Sequence, residues 1–152
     1  MAHTNRGRVI LGGLLAGVVI NVVEFVTNGV ILKDAWGEAM QAMNKPAQPS
    51  GSEILLFNVW GFLLGIAAVW LYAGIRSRYG AGVTTALRAG LAVWFLSVFL
   101  ADLGLGATGI FPVRLMVITG LVELFEIPIA TVVGAWLYKE EAQSPAVSRA
   151  AA

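Results

Sequence analysis

Val9–Leu32 reads VILGGLLAGVVINVVEFVTNGVIL. This run is long enough to cross a bilayer, which takes ~20 apolar residues, and it carries one acid, Glu24. A second run, Val113–Tyr138, carries two more, Glu123 and Glu126. A charged glutamate facing lipid at that depth costs roughly 2 kcal/mol or more. These three side chains are therefore expected to face protein or water, and they mark where function is to be sought.

Working outward, four stretches have spanning length: Arg8–Leu32, Ile54–Ile75, Val83–Leu105 and Phe111–Tyr138. The chain is 58% apolar and only 12% charged, where a soluble domain carries about a quarter charged residues. The expected fold class is all-α. It is a four-helix transmembrane bundle, antiparallel up-down, in a single integral membrane domain over residues 1–152 with a polar tail at 139–152. Arg6 and Arg8 precede the first run. That run is too long for a signal-peptide core and no small-residue cleavage pattern follows it, so it reads as an uncleaved span.

Composition narrows the chemistry. Cysteine is absent, which removes disulfides, thiol catalysis and iron–sulfur ligation. The single histidine, His3, lies outside the spans, so no bis-histidine haem or histidine-based zinc site is expected. No cofactor and no metal site are expected. Net charge is +1, which offers no basic surface for nucleic acid. The lipid bilayer is the expected partner.

Lys and Arg set the orientation. Arg6, Arg8, Arg76, Arg78, Arg88, Lys139 and Arg149 fall on one side, against Lys33, Lys45 and Arg114 on the other. That bias places both termini in the cytoplasm.

Small and polar residues recur at helical spacing. Gly13, Gly17, Asn21, Glu24 and Asn28 step by four, four, three and four, so they share one face of span one. Span two repeats the design with Asn58, Gly61, Gly65, Ala68 and Tyr72. Span three has Ala86, Gly90, Ser97, Ala101 and Gly104, with Asp102 one residue off that face. Such faces let helix backbones approach closely, and they also suit a homo-oligomer interface. Between spans one and two, Trp36, Met40 and Met43 align on one side of a short segment. This predicts an amphipathic helix over Trp36–Met43 lying on the membrane surface. Ser52-Glu53 is read as the opening of span two. Pro128 predicts a kink beside the glutamates of span four, because it removes the hydrogen bond to the Leu124 carbonyl.

Depth brings the polar groups together. At 1.5 Å per residue, Glu24 lies about 6 Å and Glu123 about 3 Å outward of the bilayer centre, with Glu126 near the midplane. Asn28, Asn58 and Asp102 fall roughly 10–12 Å outward on three helices. The layering predicts a cavity open outward and closed inward. The candidate ligand- or proton-binding residues are Glu24, Glu123, Glu126, Asn28, Asn58 and Asp102.

Two readings follow. Carboxyls crowded in low dielectric cannot all carry charge, so the cluster can exchange a proton for a small polar or cationic solute. Alternatively the glutamates only hydrogen-bond to asparagines and hold helices together, as in a structural or accessory subunit. Asp102 and Arg114 read as an interfacial ion pair. The residues give little support for an enzyme, and no catalytic residue is assigned. No nucleophile elbow, histidine dyad or phosphate loop is present, which leaves only a Glu123–Glu126 acid–base pair acting on a lipid as an alternative. The ligand itself is not named by the sequence.

The run Asn21-Val-Val-Glu24-Phe-Val-Thr-Asn28, then Leu32-Lys-Asp-Ala-Trp36, resembles a group of small bacterial four-helix membrane proteins. So does the ending Gly134-Ala-Trp-Leu-Tyr-Lys139. The resemblance covers most of the chain and implies a bacterial inner-membrane location but no activity. In a looser way, four short helices with a glutamate in the first, here Glu24, are similar to small multidrug exporters. Their other motifs are not found here, and Glu123 and Glu126 have no counterpart in that pattern.

Overall fold

The computed structural model describes residues 4–139; His3, Arg149 and the tail from 140 lie outside the described residues. Four helices are long and apolar enough to cross a membrane: Arg6–Ile31, Gly51–Tyr79, Val83–Thr108 and Val113–Ala135. They make this a multi-pass membrane protein, a bundle of helices without a strand among the described residues. Phe25, Ile31 and Trp136 are about 70% exposed, at 68%, 70% and 70%. On a soluble protein such residues would form an aggregation-prone patch; here they face lipid.

Lipid is as apolar as leucine, so burial alone does not drive these helices together; close packing and polar contacts do. The glycines supply the packing. A Cβ on Gly17 would meet the Phe62 backbone at 2.8 Å, and one on Gly65 would meet the Gly13 carbonyl and the Gly17 nitrogen at 2.5 Å. Gly12 sits against the Gly134 carbonyl, and Gly90 against the Pro128 backbone. Between these contacts Ile20, Val69, Ile127 and Thr131 are fully buried.

The stripe read on span one is divided between two partners. Gly13, Gly17 and Asn21 meet Ile66, Phe62 and Gly61 of span two. Gly12 and Ala16 meet Gly134 of span four, and Ile20 lies buried one turn on. Glu24 continues this second face, at four-residue steps from Gly12.

Two segments depart from α-helical winding. Span one turns π-helical over Phe25–Ile31, directly after Glu24. Span three does so over Phe95–Phe99. Val113–Ala135 runs as one continuous helix through Pro128. Thr131 donates its hydroxyl to the Ile127 carbonyl at 2.6 Å, and the Pro128 backbone sits where Gly90 leaves room. The small face expected on span three packs only in its first half. Ala86, Ala89 and Gly90 are buried, whereas Leu100–Thr108 contains no buried residue.

Span two begins at Gly51, three residues before the expected Ile54, because Ser50 rather than Ser52 caps it. The Glu53 amide donates to Ser50 Oγ at 3.3 Å, and the Ser50 amide donates to Glu53 Oε2 at 2.7 Å. This reciprocal box satisfies two amides that a helix start leaves unpaired. Ser50→Ala is expected to cost about 1 kcal/mol, read as a lowered unfolding midpoint in detergent.

At the far end of spans two and four, Arg76 stacks over Tyr72 and Tyr138, at 5.7 and 5.1 Å from the ring centroids. Gly80 (φ 84°) and Gly82 (φ 132°) then turn the chain into span three in backbone conformations that side chains rarely adopt.

Candidate functional site

Glu24 ends the α-helical part of span one. Its carboxyl faces those of both Glu123 and Glu126 from span four. Glu123 in turn faces Asp102 from span three. Asp102 reaches the cluster because Gly120 has no side chain: a Cβ there would lie 3.1 Å from Asp102 Oδ2. The Trp94 indole donates to the Gly120 carbonyl at 3.0 Å, which fixes the same turn of span four from the other side. Three helices therefore bring four carboxyls into one neighbourhood. Among the described residues, no Lys or Arg is among the groups that act most strongly on them. No ion pair joins Asp102 to Arg114 among the described residues, and Arg114 is exposed.

The asparagines divide. Asn28, on the π-helical segment, donates to Glu24 Oε2 at 2.6 Å. The Trp36 indole donates to Asn28 Oδ1 at 2.8 Å. Trp36 belongs to the helix Lys33–Ala42, and its ring also meets Phe111 edge-on at 5.8 Å. Asn58 stands apart. It is exposed, its amide is taken by the Ile54 carbonyl of its own helix at 2.7 Å, and only its backbone carbonyl accepts from Asn21, at 3.3 Å. The extended layering that grouped Asn58 with Asn28 ignores this local bond, which the short asparagine side chain makes with the carbonyl one turn back.

Trp36 and Gly120 are the residues that sequence reasoning left out of the site. Trp36 reads as an interfacial anchor from composition alone, and Gly120 as one glycine among many. A tryptophan eight residues beyond an intramembrane asparagine is a signal that could have pointed to the first. Trp36 covers Asn28 on the side where an outward-opening cavity was expected. Trp36→Phe should keep the ring against Phe111 while removing one hydrogen bond. The expected loss is about 1 kcal/mol of thermal stability in detergent, with Trp36→Ala costing more.

Glu126 differs from its neighbours. It is 5% exposed, and both carboxyl oxygens are turned inward, where the Glu24 carboxyl is the side chain that can hydrogen-bond to them. The other buried polar side chains of span four are satisfied by their own helix, Thr119 by the Met116 carbonyl at 3.0 Å and Thr131 as above. A hydrogen bond between two carboxyls needs a proton on one of them. No group of three His, Cys, Asp or Glu side chains among the described residues has a metal-holding arrangement.

No protein-family model, no curated protein and no solved structure matches this chain.

Proposed function

We propose that this protein is a carboxylate-site carrier or binder. In this reading a small polar or cationic solute exchanges for a proton at Glu24, Glu123 and Glu126. The observation that carries the reading is the convergence of these three glutamates, with Asp102 behind them, without a described Lys or Arg among the groups that act most strongly on them. Holding several charges unpaired among apolar helices is prohibitive, so the cluster must hold protons or a counter-cation. Exchange between those two states is what proton coupling requires.

The surrounding architecture fits. Gly13 with Ile66, Gly17 with Phe62 and Asn21 with Gly61 pair ascending with descending numbers, as do Gly12 with Gly134 and Glu24 with Glu123. Both support an antiparallel up-down bundle in one integral domain. The Lys and Arg bias supports cytoplasmic termini in an inner membrane, with the helix Lys33–Ala42 on the outer surface above the site. Glycines without a neighbour, such as Gly74 and Gly104, leave faces on which a homo-oligomer could close.

The experiment uses proteoliposomes in weak buffer with a trapped pH dye. Sodium, potassium, ammonium and methylammonium are added in turn. At least one should displace protons from wild type and none from Glu24→Gln. Silence of the wild type toward all four, or an unchanged response in the variant, overturns the reading. The accessory-subunit alternative has one observation in its favour: the Asn28–Glu24 bond satisfies that carboxyl in a purely structural way.

A further inference from the structure

The turn joining spans two and three gathers two arginines around one tyrosine. Tyr79 ends span two and is 54% exposed. The Arg78 guanidinium lies 6.0 Å from its ring centroid and the Arg88 guanidinium 5.3 Å. Arg78 comes from the last turn of span two, Arg88 from the second turn of span three, and both are exposed. The backbone beneath them is pinned. Thr85, 2% exposed, donates its hydroxyl to the Tyr79 carbonyl at 3.4 Å, and the Gly82 amide donates to the Tyr72 hydroxyl at 3.3 Å. The acids among the described residues lie elsewhere. Asp34 and Glu38 are on the helix Lys33–Ala42, Glu53 is in the first turn of span two, and the other four make up the candidate site. Leu91 and Phe95 follow Arg88 by three and seven residues, which keeps them on its face of span three. They are 43% and 45% exposed.

We propose that Arg78, Tyr79 and Arg88 form a binding site for the phosphate headgroup of an anionic phospholipid in the surrounding bilayer. An arginine stacked on a ring keeps the N–H donors along its edge, and that fork matches two phosphate oxygens. Two forks bring two positive charges to one place on the rim, and no described carboxylate answers them. A headgroup with net negative charge does. A zwitterionic lipid also brings an ammonium, and the ring that would take it already holds guanidiniums. Lipid rather than free phosphate is favoured by what lies below: acyl chains can run along Leu91 and Phe95 while the headgroup stays at the arginines. Basic clusters at the membrane end of helices recognise anionic headgroups on these terms.

The site is separate from the carboxylate cluster, and either can fail without the other. In the test, the full chain in mild detergent is studied by native mass spectrometry with equal amounts of dioleoyl phosphatidylglycerol and dioleoyl phosphatidylcholine. The first lipid retained is counted. Wild type should prefer phosphatidylglycerol about tenfold or more, and Arg78→Gln with Arg88→Gln should bring the preference to within about twofold of none. Arg78→Lys with Arg88→Lys keeps both charges without the planar forks and should lose about threefold. Arg6→Gln with Arg8→Gln removes the same charge from exposed positions at the start of span one, and should change the preference by less than about twofold. Unfolding midpoints should be unchanged in all three pairs. Equal retention of the two lipids by wild type overturns the proposal. So do equal losses in the two Gln pairs, or a Lys pair that matches wild type, since either would leave only diffuse attraction by surface charge. Excess inorganic phosphate at constant ionic strength should leave the retained lipid in place; its release would overturn the lipid as occupant in favour of free phosphate.

Discussion

Gly65→Val should separate spans one and two. A Cβ at Gly65 would lie 2.5 Å from both the Gly13 carbonyl oxygen and the Gly17 nitrogen. Neither is a flexible side-chain end; both belong to the backbone of span one. The helices must move apart along the whole contact, which also lifts Gly17 from Phe62 and Gly61 from Asn21. In lipid no hydrophobic gain compensates, because the exposed surfaces are as apolar as the solvent. The cost is expected at roughly 3 kcal/mol or more, at the upper end of overpacking penalties. Thermal unfolding in mild detergent would show a collapsed or absent transition. Gly74→Ala is the matched control. Nothing lies within 4 Å of its added Cβ, and alanine favours the helix by roughly 0.5–1 kcal/mol. A Gly65→Val protein that melts like wild type would refute the packing account.

At Glu24 two substitutions should part company. Glu24→Gln keeps an oxygen to accept from Asn28 Nδ2 at the 2.6 Å contact, yet it cannot exchange a proton. Stability should change by less than about 1 kcal/mol, while cation-driven proton release disappears. Glu24→Leu strands the Asn28 amide, whose carboxamide oxygen is still held by Trp36. That should cost about 1–3 kcal/mol for the unpaired donor. If the glutamates serve structure alone, the Gln variant is silent in both measurements and only the Leu variant shows a loss. The pair of variants thus separates chemistry from scaffolding with one folding and one functional readout.

The four spans were legible because spanning length and low charge leave few alternatives. Their boundaries moved where local chemistry rules, as at Ser50, whose cap lengthens span two at its start. Convergence of Glu24 with Glu123 was anticipated by depth counting, which works because an α-helix rises at a fixed rate. Asn58, placed at the depth of Asn28 by the same counting, turns its amide to its own helix, because depth says nothing of which way an amide turns. The division of the glycine stripe between two partners was not legible either. Gly12 and Gly13 are adjacent in sequence, and only three-dimensional packing assigns one to span four and the other to span two. Nor does periodicity show a π-helical segment, because widening a turn by one residue leaves composition unchanged.

Those widened turns carry a consequence of their own. Each residue of an α-helix advances about 100° around the axis, so a residue accommodated in excess at Phe25–Ile31 puts the two ends of span one out of phase. The end before Glu24 is clamped by glycine contacts with spans two and four; the end beyond it holds Asn28 and leads to Trp36. Deleting one residue within Phe25–Ile31 would therefore act as a screw adjustment. It would rotate the Trp36 end while the clamped end stayed in place, and the Asn28 amide would swing off the carboxyl it now serves. The molecule carries in its backbone a built-in phase step, set beside the acids and away from the clamp.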